Sequence, residues 1–206
     1  MGQMTSASRL YLGCMTEMKG RLFAASDGMD KYINSGHTEN GDFEFACLQL
    51  RKAIELVGFS AMTAEIDAYR AIRAKFQREW NFAEILKNLR RISPNCFPFR
   101  VRIKRSDQVG VKWHLVPEKS YAITPDQLKN WHGLLNEHLH AMNPYRASED
   151  HLLVSLRVKS NVTDILSMLA EHCFLRSDNS GGFLISLNER NQPVTVIEFE
   201  ANSDVH

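Results

Sequence analysis

The stretch DFEFACLQLRKAIELVGFSAM, residues 42–62, is helix-length and apolar nearly all round, yet it carries Glu44, Arg51 and Glu55 on one narrow stripe. At about 100° per residue, Phe43, Ala46, Cys47, Leu50, Ala53, Ile54, Val57 and Ala61 fill one broad face. Phe45, Leu48, Leu56 and Phe59 leave little of the opposite side polar. Such a helix belongs at the centre of its domain, and charges placed on it need a reason.

Upstream, Leu10, Cys14, Met18, Leu22, Ala25, Met29 and Tyr32 recur at helical spacing, which predicts one helix over Ser6–Asn34, or two broken near Gly20 or Gly28. Residues 34–41 are polar with two glycines and read as a loop, with Asp42 placed to cap the central helix. Downstream, a second helix is expected over residues 64–79. Asn81 with Glu84 then makes a capping-box-like start to Phe82–Ile92, stopped by Ser93-Pro94-Asn95.

The period changes after that. Phe99, Val101 and Ile103 alternate with Arg100, Arg102 and Lys104, and Val111, Trp113 and Leu115 alternate with Lys112 and His114, which predicts a β-hairpin. Thr124-Pro125, with Gln127 at the capping-box position, opens another helix with the stripe Leu128, Trp131, His132, Leu135, Leu139 and Met142, ended by Asn143-Pro144. Residues 149–159 lean to helix, and 164–173 are expected to be helical. Residues 183–187 and 194–199 form a second hairpin after a loop at 177–182. Gly181-Gly182 is too short a signal for a nucleotide loop and is expected to permit the turn before Phe183. The expected architecture is α+β: a predominantly helical bundle whose two hairpins join in a small antiparallel sheet. Residues 1–206 form one unit, with a helical part at 6–92 and a mixed part at 97–200.

Composition narrows function by exclusion. The chain has 206 residues and a net charge of +1 from 25 basic and 24 acidic residues, so no global field marks it as a nucleic-acid or membrane binder. The four cysteines are widely spaced and form no zinc-type pair, and no cofactor or metal is expected. No apolar run approaches the roughly 20 residues needed to span a bilayer. Arg9, Glu17, Lys19 and Arg21 break up any signal-peptide core, so the cytoplasm of a bacterium or of its phage is the expected compartment.

Two places carry candidate chemistry. Arg51 and Glu55 are four apart and meet on a helix. Either they form an ion pair that orients neighbouring helices, or Arg51 binds a phosphate through its planar fork while Glu55 holds that fork. Secondly, residues 87–105 hold seven basic side chains, Lys87, Arg90, Arg91, Arg100, Arg102, Lys104 and Arg105, and no acidic one. Arg100, Arg102 and Lys104 share one strand face, opposite the apolar face. They form either a ladder able to follow a sugar-phosphate backbone or a solvated edge. His138 and His140 stand two apart on a helix and point too far apart to share an ion. His132 and His138 fall beside the apolar stripe as core or boundary residues, and His140 points away from it.

The segments Phe45-Ala-Cys-Leu-Gln-Leu-Arg-Lys-Ala-Ile-Glu55 and Leu139-His-Ala-Met-Asn-Pro144 resemble a set of bacterial proteins whose helical halves are similar to the HEPN superfamily, compact helical domains often found as ribonucleases in toxin and phage-defence systems. The resemblance implies a protein acting on RNA as a metal-independent ribonuclease. Arg51 would stabilise the phosphate, His140 would act as general acid or base, and Glu55 would orient Arg51. RNA and a second copy of the chain are the partners it implies. HEPN ribonucleases pair their arginine and histidine on one helix. Here Asn136 holds the nearest comparable place before His140, so Arg51 would have to meet His140 through tertiary packing. The rival readings are a regulatory or protein-interaction module without catalysis, and a nucleic-acid binder without catalysis.

Overall fold

The computed structural model describes residues 4–107, 113–140 and 151–200. Helix α1 (Ser6–Asn34) and helix α2 (Asn40–Ala64) form a long antiparallel hairpin. Tyr11, Met15, Met18, Leu22, Ala25, Met29 and Tyr32 of α1 are fully buried, and so is the broad apolar face of α2. Helix α1 runs unbroken through Gly20 and Gly28 because packing along its whole length outweighs the small helix penalty of glycine. Asp42 lies in the first turn of α2 and not at its cap, where it still complements the helix dipole.

The expected helix at 64–79 is much shorter. Glu65 ends α2 by turning its carboxylate onto Ser177, whose backbone N–H and hydroxyl donate to it at 2.6 and 2.7 Å. Helix α3 then covers only Ile66–Ile72, and a single 3₁₀ turn covers Phe76–Arg78. Only Tyr69 of α3 is buried, so no apolar face holds the segment helical further. Helix α4 (Phe82–Ile92) begins as expected, with the Asn81 side chain accepting from the N–H groups of Ala83 and Glu84. Helix α5 (Pro125–His138) starts with the Thr124–Gln127 capping box. Helix α6 spans His151–Leu169, and residues 141–150, with the expected stop at Pro144, lie outside the described part.

One antiparallel sheet has the order β2-β1-β3-β4-β5, from β1 (Phe99–Arg105), β2 (Trp113–Pro117), β3 (Glu171–Leu175), β4 (Gly181–Ser186) and β5 (Thr195–Glu200). The two expected hairpins are present, with Val111 and Lys112 outside the described residues. The strand that joins them, β3, replaces the last turn of the expected helix at 164–173. His172, Cys173 and Phe174 are buried on both faces of this central strand. A doubly buried strand has no alternation to distinguish it from helix.

The register sets what each sheet face does. Arg100 pairs with His172, and Phe174 with Phe183, so these side chains share a face. That face meets the helices, where Tyr11 packs against His172, Phe174 and Phe183. The opposite face carries Trp113, Leu115, Phe99, Val101, Ile103, Cys173, Leu175, Leu184, Ile197 and Phe199, and Trp113 and Ile197 are each 60% exposed. The basic side of β1 therefore lies on the helix side of the sheet, and its apolar side turns away from the main core.

Candidate functional site between α2, α4 and α5

Arg51 and Glu55 do pair: the Arg51 Nε–H donates to Glu55 Oε1 at 3.1 Å. Helix α5 runs antiparallel to α2 and adds a third member, His132, whose Nε2 lies 3.0 Å from the same carboxylate oxygen and 3.3 Å from Arg51 Nε. An arginine Nε only donates, so the arrangement is consistent when His132 carries its proton on Nε2 and both groups donate to Glu55. This leaves the two Nη groups of Arg51 and Nδ1 of His132 without a hydrogen-bond partner among the described residues. All three side chains are half-buried, at 29, 22 and 16% exposure for Arg51, Glu55 and His132. Burial pushes the Glu55 carboxyl up, but the His132 hydrogen bond and the charges of Arg51 and His132 outweigh it and hold it below the ordinary value.

The cluster has a roof. The ring of Phe82, the first residue of α4, lies over His132 with ring centres 5.2 Å apart at an angle of 31°. Gly58 makes room for it, because a Cβ there would stand 2.9 Å from Phe82 Cε2. Glu44 is exposed and takes no part in this cluster.

His140 is not the histidine that meets Arg51. It stands exposed beyond Leu139, which caps the end of α5. Two residues before it, His138 packs edge-on against Phe43 with ring centres 5.5 Å apart. Phe43 and Arg51 are eight residues apart on α2, on the order of 12 Å along the axis. No hydrogen bond joins Arg51 to His140 among the described residues, and the polar partner of the pair is His132, which periodicity placed at the core boundary.

The basic run separates into paired and unpaired members. Arg100 donates to Glu118 at 2.8 Å and to the Ser167 carbonyl in the last turn of α6, where a cation meets the negative end of the helix dipole. Arg102 bonds the other oxygen of the same Glu118, whose carboxyl is held below its ordinary value by Arg100 and then Arg102. One carboxylate from beyond β2 thus neutralises much of the expected ladder. Lys104 and Arg105 are exposed at the far end of β1.

The remaining basic residues line a groove of about 390 Å³ between α4 and α5, formed by Ala83, Glu84, Leu86, Lys87, Arg90, Arg91 and Lys129. Lys87 pairs with Glu84 at 3.3 Å and Arg90 with Asp126 at 2.7 Å. Arg91 and Lys129 have no carboxylate partner among the described residues. Lys129 stands one turn before His132 on α5, and Ala83 follows Phe82 on α4, so two of the lining residues are close neighbours along their helices of members of the cluster, although none of Arg51, Glu55 and His132 lines the groove itself. Lys129 and His132 escaped the sequence reading as site residues. Their three-residue spacing was visible, but not the helix opposite them. No protein-family model, curated protein or solved structure matches the chain.

Proposed function

We propose that this protein acts on RNA, with the backbone phosphates held in the α4–α5 groove and at the open fork of Arg51. One observation carries the reading: the Nε of Arg51 is fixed by a carboxylate while its two Nη groups have no acceptor among the described residues, and one helical turn from His132 along α5 stands Lys129, which with Arg91 lines a groove and like it has no carboxylate partner among the described residues. A guanidinium held this way is preorganised for a phosphate.

The finer form of the proposal is metal-independent cleavage, with the histidine role passing from His140 to His132. The 2′-oxygen of RNA attacks the adjacent phosphorus and the bond to the 5′-oxygen breaks, giving a 2′,3′-cyclic phosphate and a 5′-hydroxyl. His132 accepts the 2′-proton at Nδ1 with Glu55 orienting the ring, Arg51 stabilises the phosphorane charge, and water protonates the leaving oxygen. The resemblance to HEPN domains, and with it a role in a toxin or phage-defence system, supports this reading. In this chain the arginine and histidine come from two helices.

Incubating labelled single-stranded RNA with the protein in excess chelator tests it. Cleavage to cyclic-phosphate ends is expected, lowered at least about 100-fold by Arg51→Ala and by His132→Ala. Equal cleavage by wild type and both variants removes the ribonuclease. Binding without cleavage by the wild type leaves an RNA binder.

A protein-interaction module has one observation in its favour, the sheet face turned from the helices, where Trp113, Leu175 and Ile197 are exposed around the buried Val101 and Cys173. That face carries one cation, Arg105, and one anion, Glu171, so it suits a second copy of the chain better than a polyanion. Sedimentation of wild type and Ile197→Lys decides it: a dimer dissociated by the lysine supports the module, and a monomer in both removes it.

A further inference from the structure

We propose that Trp80 is a base-stacking platform beside the α4–α5 groove that makes the protein prefer single strands to duplex. The inference rests on the reading of that groove as a phosphate site. Trp80 is the most exposed of the large apolar side chains described, at 75%. It occupies the position just before the Asn81 cap of α4, where an apolar residue ordinarily packs against the fourth helical residue. That residue, Ile85, is fully buried, while most of the indole stays in solvent. The indole is thus left out of the fold.

Its surroundings suit a polyanion. Lys75 and Arg78, just before it, are exposed and lack a carboxylate partner among the described residues, while Arg73 is paired with Glu79 at 3.1 Å. Beyond it, α4 carries Lys87, paired with Glu84, and Arg91, which lines the groove without a carboxylate partner among the described residues. Exposed cations thus precede and follow an exposed aromatic ring along the chain, the combination by which single strands are held: charge follows the backbone and the ring stacks an unpaired base. A duplex keeps its bases stacked internally and offers the ring nothing.

The test is the affinity of fluorescein-labelled single-stranded RNA for wild type, Trp80→Ala, Trp80→Phe and Arg91→Ala/Lys129→Ala, with the same sequence as duplex RNA and as single-stranded DNA. Trp80→Ala is expected to weaken single-stranded RNA binding roughly 5- to 100-fold with an unchanged salt slope, and Trp80→Phe to recover most of it. Duplex RNA is expected to bind more weakly and to be indifferent to Trp80. Duplex binding that equals single-strand binding overturns the preference for single strands, and single-stranded DNA is expected to show the same loss in Trp80→Ala because stacking does not read the sugar. An unchanged affinity in Trp80→Ala overturns the platform, and if Arg91→Ala/Lys129→Ala still weakens binding, the groove stands without it. Absence of any binding by the wild type removes both.

Discussion

Buried His172 illustrates how one side chain ties pH to stability. Its Nδ1 lies 2.9 Å from the Leu169 carbonyl and its Nε2 lies 3.2 Å from the Tyr11 hydroxyl, so Nδ1 donates and Nε2 accepts from Tyr11. Burial lowers its pKa from 6.5 to about 4. As pH falls below 6.5 the unfolded chain takes up a proton that the native state refuses, so this contribution is complete above 6.5 and is lost progressively down to about 4. The loss is about 3 kcal/mol at most. Urea midpoints measured from pH 7 to pH 4.5 should fall, and a flat profile would contradict the assignment of a neutral buried His172. At the same scale, the Arg51–Glu55 pair was legible in the sequence because four-residue spacing on a helix implies contact. His132 was not, because periodicity gives the face a residue occupies and not what lies opposite. Lys19 was hidden for the same reason: it is buried on α1 with its ammonium donating to the carbonyls of Leu187, Glu189 and Gln192 at 2.6, 2.5 and 2.7 Å. Lys19→Met should cost about 1–3 kcal/mol by orphaning those carbonyls, measured by denaturant unfolding. No change would mean that water replaces the ammonium.

Elements were legible where local chemistry decides them. The caps at Asn81 and Thr124 placed the starts of α4 and α5 because side chain and backbone satisfy each other within four residues. Strand β3 was illegible because both its faces are buried and one of its neighbours, β1, comes from distant sequence, and so was the shortness of α3, which follows Glu65 turning to Ser177. The β3–β4 pairing also gives Gly182 a task beyond a turn. A Cβ there would stand 2.0 Å from the Phe174 carbonyl oxygen, a contact that only backbone displacement relieves. Gly182→Ala is expected to destabilise the fold by at least about 2–3 kcal/mol, read from its thermal or denaturant midpoint. A midpoint within experimental scatter of wild type would show that the strands separate easily at that point.

Across the whole molecule, the α+β class followed from helices early and alternation late, and no described helix is long and apolar enough to cross a membrane. The orientation of the sheet did not follow. Alternation assigned Arg100, Arg102 and Lys104 to one face correctly, but whether that face met helices or solvent was settled by β3, and Glu118 then paired with two of the three. Near-neutral net charge similarly concealed a separation of charge, which survives between α4 and α5 beside the Arg51–Glu55–His132 cluster. On the proposed function this groove holds an RNA backbone. The most direct test is the salt dependence of single-stranded RNA affinity for wild type and Arg91→Ala/Lys129→Ala. Log affinity is expected to fall linearly with log salt, and the double variant to flatten the slope by about 1.4, at about 0.7 per lost phosphate contact. Binding with the same slope in both proteins, or no binding by either, would contradict it.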